Sequence, residues 1–309
     1  MKKNYLFICF GLLLFLPGFS QHYSLFSQYM FNGLLINPAY AGNSNLIDIT
    51  VSHRRQWSGL PLSPTTSALS LHAPVKGNKV SLGFVFSDDR IGVTTKQNLN
   101  TVYAYRIKMG AASLSFGIQA GLEFSRASWD KLARNDVDDN VLLTVSPTIM
   151  NFTTGAGVYF QNKKIFTGLS MPYLLNTGSS AGFLSGPSLL YAGYNVFLPD
   201  SSVLKPSILI RGLKGSPTQF DLNLVYSWKQ KYGFGLAYRN KESLIALLEF
   251  NFSKEIRFCY SYDYGVGAIK AYHNGSHEIT FRYLFSRSSG QNKEKKTSEN
   301  TPQSTTTTK

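Results

Sequence analysis

From residue 47 to residue 285 apolar and polar positions alternate with a period of two, not 3.6. Leu222, Leu224, Tyr226 and Trp228 are interleaved with Asp221, Asn223, Ser227 and Lys229. Ile279, Phe281, Tyr283 and Phe285 are interleaved with Glu278, Thr280 and Arg282. One face of each segment is aliphatic or aromatic, and the other is small, polar or charged. Fourteen such segments are predicted as strands, at about 47–57, 65–73, 79–87, 97–108, 112–125, 152–161, 164–171, 188–198, 203–211, 218–229, 232–240, 243–252, 256–264 and 276–286. Connections after even-numbered segments are short. Those after odd-numbered segments are mostly longer, with 240–242 as the exception. An even strand count with short turns alternating with long loops is the pattern of an outer-membrane barrel.

The predicted fold is therefore all-β: a transmembrane antiparallel β-barrel of about fourteen strands. A soluble sandwich or lipocalin-like barrel also alternates, but it turns its apolar face inward, and alternation alone does not say which face is which. The first twenty residues favour the membrane reading. Lys2 and Lys3 precede an apolar run from Tyr5 to Leu16, then small residues at Gly18 and Ser20, as in a secretory signal peptide over 1–20. Aromatic residues near segment ends (Trp57, Phe124, Trp228, Tyr264 and Phe285) are candidates for interfacial girdles. Residues 21–46 are too apolar for a free tail and are expected to pack in or under a barrel spanning 47–286. Residues 287–309, rich in Ser, Thr and Lys, read as a disordered tail.

Composition agrees. Charged residues are 16% and aromatics 14% of the 309 residues, with 26 glycines, whereas soluble domains carry about 25% charged residues. Two cysteines, one of them Cys9 in the predicted leader, exclude a disulfide scaffold. The formal charge of +14 invites a nucleic-acid reading, but export argues for no nucleic-acid partner and for anionic outer-membrane lipid or an acidic protein instead.

Catalytic and metal chemistry is sparse. The five histidines, His22, His53, His72, His273 and His277, have no zinc-binding spacing. Ser276-His277 with Asp263 is a hydrolase triad on paper only, without a nucleophile motif. The acidic run Asp136-Val137-Asp138-Asp139-Asn140 is a weak calcium candidate whose plain alternative is a solvated loop. No cofactor and no enzymatic activity are expected. The polar face is more informative. Arg54, Arg106, Lys205, Arg211, Asp221, Arg239, Glu249, Arg257, Asp263, Glu278 and Arg282 fall on it by alternation, and charges buried in a lumen need partners. Same-strand pairs, Arg257 with Asp263 and Glu278 with Arg282, are the expected ones. The network is either a structural lattice or a polar socket.

Seven collinear segments resemble the PorP/SprF family of outer-membrane proteins of the type IX secretion system, from Gln28 to Phe285. They are FSQYMFN with INPAYAG (Phe26 to Gly42), SHRRQWSGLPLSPTT (Ser52 to Thr66), LSFGIQAG (Leu114 to Gly121), KGSPTQFDLN (Lys214 to Asn223), GLAYR (Gly235 to Arg239), YSYDY (Tyr260 to Tyr264) and GSHEI (Gly275 to Ile279). The sequence departs from the family pattern at Gly33-Leu34, at the doubled base Arg54-Arg55 and in its tail. The resemblance implies a barrel without catalysis. Its partners would be other secretion components and a secreted surface protein or gliding adhesin bearing a C-terminal sorting domain. Arg54, Arg55, Gln56 and Trp57, followed by Asp136, Asp138 and Asp139, are candidate rim residues for that partner. Phe281, Tyr283 and Phe285 are candidates for an assembly signal in the last strand. Two alternatives stay open: a transport channel plugged by Phe26, Tyr29, Met30 and Phe31, and a motor-associated component docked through its short turns.

Overall fold

Alternating residues form strands because each β-residue turns its side chain to the opposite face of the last. In the computed structural model, which describes residues 26–76, 78–128, 148–178 and 186–285, the alternating segments become β1 (Ile47–Arg55), β2 (Thr65–Lys76), β3 (Val80–Ile91), β4 (Thr94–Met109), β5 (Ala112–Ala127), β6 (Ile149–Gln161), β7 (Ile165–Asn176), β8 (Ser188–Tyr194), β9 (Val196–Phe197), β10 (Val203–Gly212), β11 (Gln219–Trp228), β12 (Tyr232–Arg239), β13 (Ser243–Asn251), β14 (Ile256–Gly265) and β15 (Ser276–Phe285). Sequential neighbours pair antiparallel throughout. β1 also pairs with β15, from Ile47 opposite Phe285 to Arg55 opposite His277, and this closes the sheet. β8 and β9 both pair with β10 in one register and act as a single strand, so fourteen strands make the barrel.

The interruption between β8 and β9 has a local cause. Asn195 would face Lys205, next to Pro206, which faces Tyr194 and has no N–H to donate to the ladder. At β3 and β4 the structure corrects the expected loop over 88–96. The strands run on to Ile91 and from Thr94, joined by Gly92 and Val93 with Gly92 at φ +60°. Backbone pairing continues after the apolar alternation has stopped. Asp88 accepts hydrogen bonds from Gln97 Nε2 and Arg90 Nε, each at 2.8 Å. β5, β6 and β7 likewise outrun their apolar segments.

Face polarity separates the two barrel types. On β11, Leu222, Leu224 and Trp228 are 45%, 47% and 43% exposed, whereas Asp221, Asn223 and Ser227 are buried. On β15, Ile279, Phe281 and Phe285 are exposed while Glu278, Thr280 and Arg282 are buried. The apolar face is outside. Among the described residues no helix is long and apolar enough to cross a membrane; the barrel crosses with strands.

The buried interior is built around residues 26–46, which lie inside the barrel. Three-residue 3-10 turns occur at Gly33–Leu35 and Pro38–Tyr40, the second capped by the Asn37 side chain, which accepts from Ala39 N. The polar lumen has three apolar patches, each matched to this strap. Phe31 packs with Ala237, Ile245, Leu247 and Cys259. Leu34 and Ala41 pack with Val85, Val102 and Ala104. Tyr29 and Ile36 pack with Leu189 and Leu209. Two glycines let the strap touch the wall. A Cβ on Gly117 would sit 2.2 Å from Ala39 N, and one on Gly157 would sit 2.2 Å from Asn37 Oδ1.

Leu224 lies mid-strand on the outer face. Leu224→Arg should therefore cost about 2–4 kcal/mol, read as urea unfolding in lipid vesicles. Wild-type stability in that variant would show that this face does not meet hydrocarbon.

Candidate functional site

The most heavily bonded part of the lumen is where the strap begins. Arg54 points inward from β1, directly across from Glu278 on β15. Its Nη1 is 3.0 Å from Glu278 Oε2, and its Nη2 is 2.6 Å from Asp263 Oδ2 on β14. One guanidinium thus meets two buried carboxylates, and the strap adds hydrogen bonds to both oxygens of Glu278 and to Asp263 Oδ2. Ser27 N donates to Glu278 Oε2 at 2.7 Å and Gln28 N to Glu278 Oε1 at 2.9 Å. Ser27 Oγ donates to Asp263 Oδ2 at 2.7 Å and accepts from Arg54 Nη1 at 2.6 Å. Gln28 Nε2 reaches Ser261 Oγ and the Glu278 carbonyl. Successive backbone amides on one carboxylate make strong, directional contacts.

The strap is then bonded along its length. Asn223 Nδ2 donates to the Tyr29 hydroxyl, and burial pushes that phenol's pKa upward. Ser70 Oγ donates to Asn32 Oδ1 at 3.0 Å, and Asn37 Nδ2 donates to the Val158 carbonyl at 3.0 Å. Gly42 N donates to His72 Nδ1 at 3.0 Å, which leaves His72 Nε2 facing Asp48 at 3.4 Å. Asp48 also pairs with Arg282. Arg106 closes the far end, donating to Asn45 Oδ1 at 3.0 Å and to the Ala41 carbonyl at 3.4 Å.

Strand positions give the strap's direction. Arg54 and Asp263 are one and two residues from the long-loop ends of β1 and β14. His72, Arg106 and Val158 are four, three and three residues from the short-turn ends of β2, β4 and β6. The strap therefore threads the lumen from one rim to the other.

A sequence profile described as type IX secretion system membrane protein PorP/SprF matches residues 18–283. The chain belongs to the PorP/SprF family. It is a membrane protein of the type IX secretion system with an outer-membrane barrel fold. No curated relative matches it. Among solved structures it is similar to Omp33 of Acinetobacter baumannii, at 6% identity and a TM-score of 0.45 over 78% of this chain and 98% of that one. It is also similar to outer membrane phospholipase A from Escherichia coli, at 11% identity and a TM-score of 0.40 over 81% and 98%. CdiB from Acinetobacter baumannii follows at 9% identity and a TM-score of 0.39 over 77% and 60%. These likenesses are between barrels and say nothing of activity.

The structure redistributes the site residues expected for this PorP/SprF chain. Arg54, expected at the rim, is 3% exposed in the lumen, because strand parity turns it inward. Arg55 is exposed, and Gln56 and Trp57 are half-buried at the turn after β1. Trp57 N donates to Ser276 Oγ at 3.1 Å, and the Trp57 ring lies 6.4 Å from that of His273. Asp136, Asp138 and Asp139 lie outside the described residues. Among the described residues no cluster of three or more His, Cys, Asp or Glu is arranged to hold a metal.

The same-strand ion pairs do not form. Residues four or six apart on one strand are separated by about 13–20 Å, so partners come from other strands. Glu278 and Asp263 take Arg54, Arg282 takes Asp48, and Arg257 Nε takes Glu249 at 3.1 Å. Arg239 is bonded by Asp221 at 3.0 Å and by Glu242 at 3.3 Å. Arg106 has carbonyl and amide partners in the strap instead, and Arg211 and Lys205 are half-buried. Ser27, Gln28, Asp48 and His72 were missed by sequence reasoning. Asp48 and His72 share the inward parity of Arg54 and of Ser70, but parity names no partner.

The paper triad is not assembled. Asp263 is buried in the lumen, whereas the His277 ring bonds the Tyr260 hydroxyl at 2.8 Å on the other face. His53 Nδ1 does meet Ser67 Oγ at 2.9 Å on the outer face. The register, however, sets Asp88 opposite Ser67, not beside the ring. Phe281 and Phe285 are exposed on the outer face, with Tyr283 edge-on to Phe285 at 4.3 Å.

Arg54→Met should strand Asp263 and Glu278 without a counter-charge, at a cost of about 3–5 kcal/mol. In a Ser27→Cys background, maleimide labelling of the folded barrel should then speed up at least tenfold. Unchanged labelling would mean that Arg54 does not hold the strap.

Proposed function

We propose that this PorP/SprF barrel is a non-catalytic outer-membrane component that binds a secreted surface protein through its C-terminal sorting domain, for export or surface anchoring. One observation carries this reading: the lumen is filled by the chain's own strap, bonded from the Arg54 cluster to Arg106. A partner then has the rims to bind, not the interior. The long-loop rim is the docking face, with Arg55, Gln56 and Trp57 on one side and Asp136, Asp138 and Asp139 on the loop between β5 and β6. Other secretion components are the second class of partner. The leader over 1–20 takes the chain across the inner membrane. The strap argues against an open transport channel.

Two measurements test this. A tagged copy, solubilised gently and analysed by mass spectrometry, should retain a large surface protein with a sorting domain. Deleting 129–147 should remove that protein and leave a heat-modifiable barrel; retention by the deleted form would overturn the loop assignment. In planar bilayers the intact protein should stay silent, and steady ion conductance would favour the channel.

A further inference from the structure

The two rims differ in charge. Around the short turns the described residues place seven exposed lysines: Lys79, Lys108, Lys163, Lys164, Lys229, Lys231 and Lys254. The exposed carboxylates in those turns are Asp200 and Glu255, each held by its own turn. Ser202 donates to Asp200 through N at 3.1 Å and Oγ at 2.8 Å, and Ser253 Oγ donates to Glu255 at 2.8 Å. The long-loop rim also has exposed bases, Arg55, Arg90, Lys96, Arg126, Lys214, Lys241 and Lys270, but Asp88, Asp89, Glu123 and Glu242 lie among them.

Lys229 and Lys231, at one hairpin, lie over rings of the outer face, whereas Lys163 lies over Phe197, whose strand partner Val203 is buried on the lumen side. Lys163 Nζ is 5.4 Å from the Phe197 ring, Lys229 Nζ 5.4 Å from Trp228 and Lys231 Nζ 5.5 Å from Tyr232. The Trp228 and Tyr232 rings stack at 5.9 Å. Amphipathic rings of this kind mark the level of lipid headgroups. Lysine stems run along apolar surface and leave the ammonium there.

The same wall carries an apolar groove of about 810 Å³ on its membrane face, running across Ala192, Pro206, Ile208, Leu224, Leu236 and Tyr238. Ala192 forms its floor, lying between the exposed side chains of Leu190 and Tyr194. From Leu224 to Trp228 is four residues of strand, about 13 Å. One leaflet of hydrocarbon is about 15 Å deep. A headgroup at Lys229 and Lys231 therefore places its acyl chains in the groove.

We propose that this wall is a binding site for an anionic phospholipid, with the phosphate on Lys229 and Lys231 and the acyl chains in the groove above them. The lipid belongs to the leaflet at the short-turn rim. These two lysines sit at its headgroup level, and the groove opens on hydrocarbon, which favours a lipid over an acidic protein.

The test uses the full chain as Trp57→Phe/Trp129→Phe, which leaves Trp228 as the reporter, in bilayers of brominated phosphatidylcholine. Unbrominated phosphatidylglycerol should displace the quencher with a relative association constant about fivefold above that of unbrominated phosphatidylcholine. The preference should fall towards one at high salt and in Lys229→Gln/Lys231→Gln. Ala192→Phe, which fills the groove and leaves the lysines in place, should lower phosphatidylglycerol retention in native mass spectrometry. A constant near one in the protein with intact lysines overturns the proposal and leaves this rim to an acidic protein or to solvent. Loss of the preference on adding inorganic phosphate alone also overturns it, because the site would then take a free anion rather than a headgroup. Both overturning outcomes are read with the lysines intact, so neither depends on the double variant folding.

Discussion

Hydrocarbon offers no hydrogen-bond partners, so a β-sheet facing lipid must satisfy every backbone N–H and C=O within itself. The pairing of β1 with β15 meets that demand. Nine successive residue pairs, from Ile47 with Phe285 to Arg55 with His277, leave neither strand as an edge. Once the sheet is closed and its apolar side faces outward, the period-two pattern sends Asp48, Thr50, Ser52 and Arg54 into the lumen together. The interior of this protein is polar for the same reason that its exterior is not.

A polar interior raises its own problem, because buried charge is costly unless paired and hydrogen-bonded. The fold answers with cross-strand pairs and with the strap. Glu278 shows both at once: its two oxygens take Arg54 from the adjacent strand and two successive amides from the strap. Such pairs add little net stability over apolar packing. What they add is position. The apolar contacts of Phe31, Leu34 and Ile36 provide burial, and the Arg54 cluster at one end and Arg106 at the other fix the register in which those side chains meet their patches. Gly117 and Gly157 complete the fit by letting the strap backbone lie against the wall.

How much of this was legible follows from what alternation encodes. Parity gives the face of a residue, and it placed Asp221, Arg239, Glu249, Glu278 and Arg282 correctly on the polar side. It gives no register between strands. Same-strand pairs were therefore the natural guess, and they fail by distance. The long-loop end of β3 and β4 was read as loop because hydrophobicity ends there, although backbone pairing does not. Alternation gave no warning at 188–198 or 203–211, and only the paired register shows Pro206 beside the break between β8 and β9. The apolar character of residues 21–46 was visible. The use of Ser27 and Gln28 amides as ligands for Glu278 was not, because backbone groups carry no residue-type signal.

The strap also divides the molecule into two chemically distinct faces. Its bonds run from the long-loop end, where Arg54 holds Ser27, to the short-turn end, where Arg106 holds Asn45. A molecule entering from either rim meets the strap. The long-loop rim presents bases interleaved with four carboxylates and aromatic edges such as Trp57. The short-turn rim presents lysines with fewer carboxylates among them. A barrel whose lumen is filled by its own chain has these two rims and its lipid-facing wall left for recognition. In this sequence the residue types differ most between those surfaces.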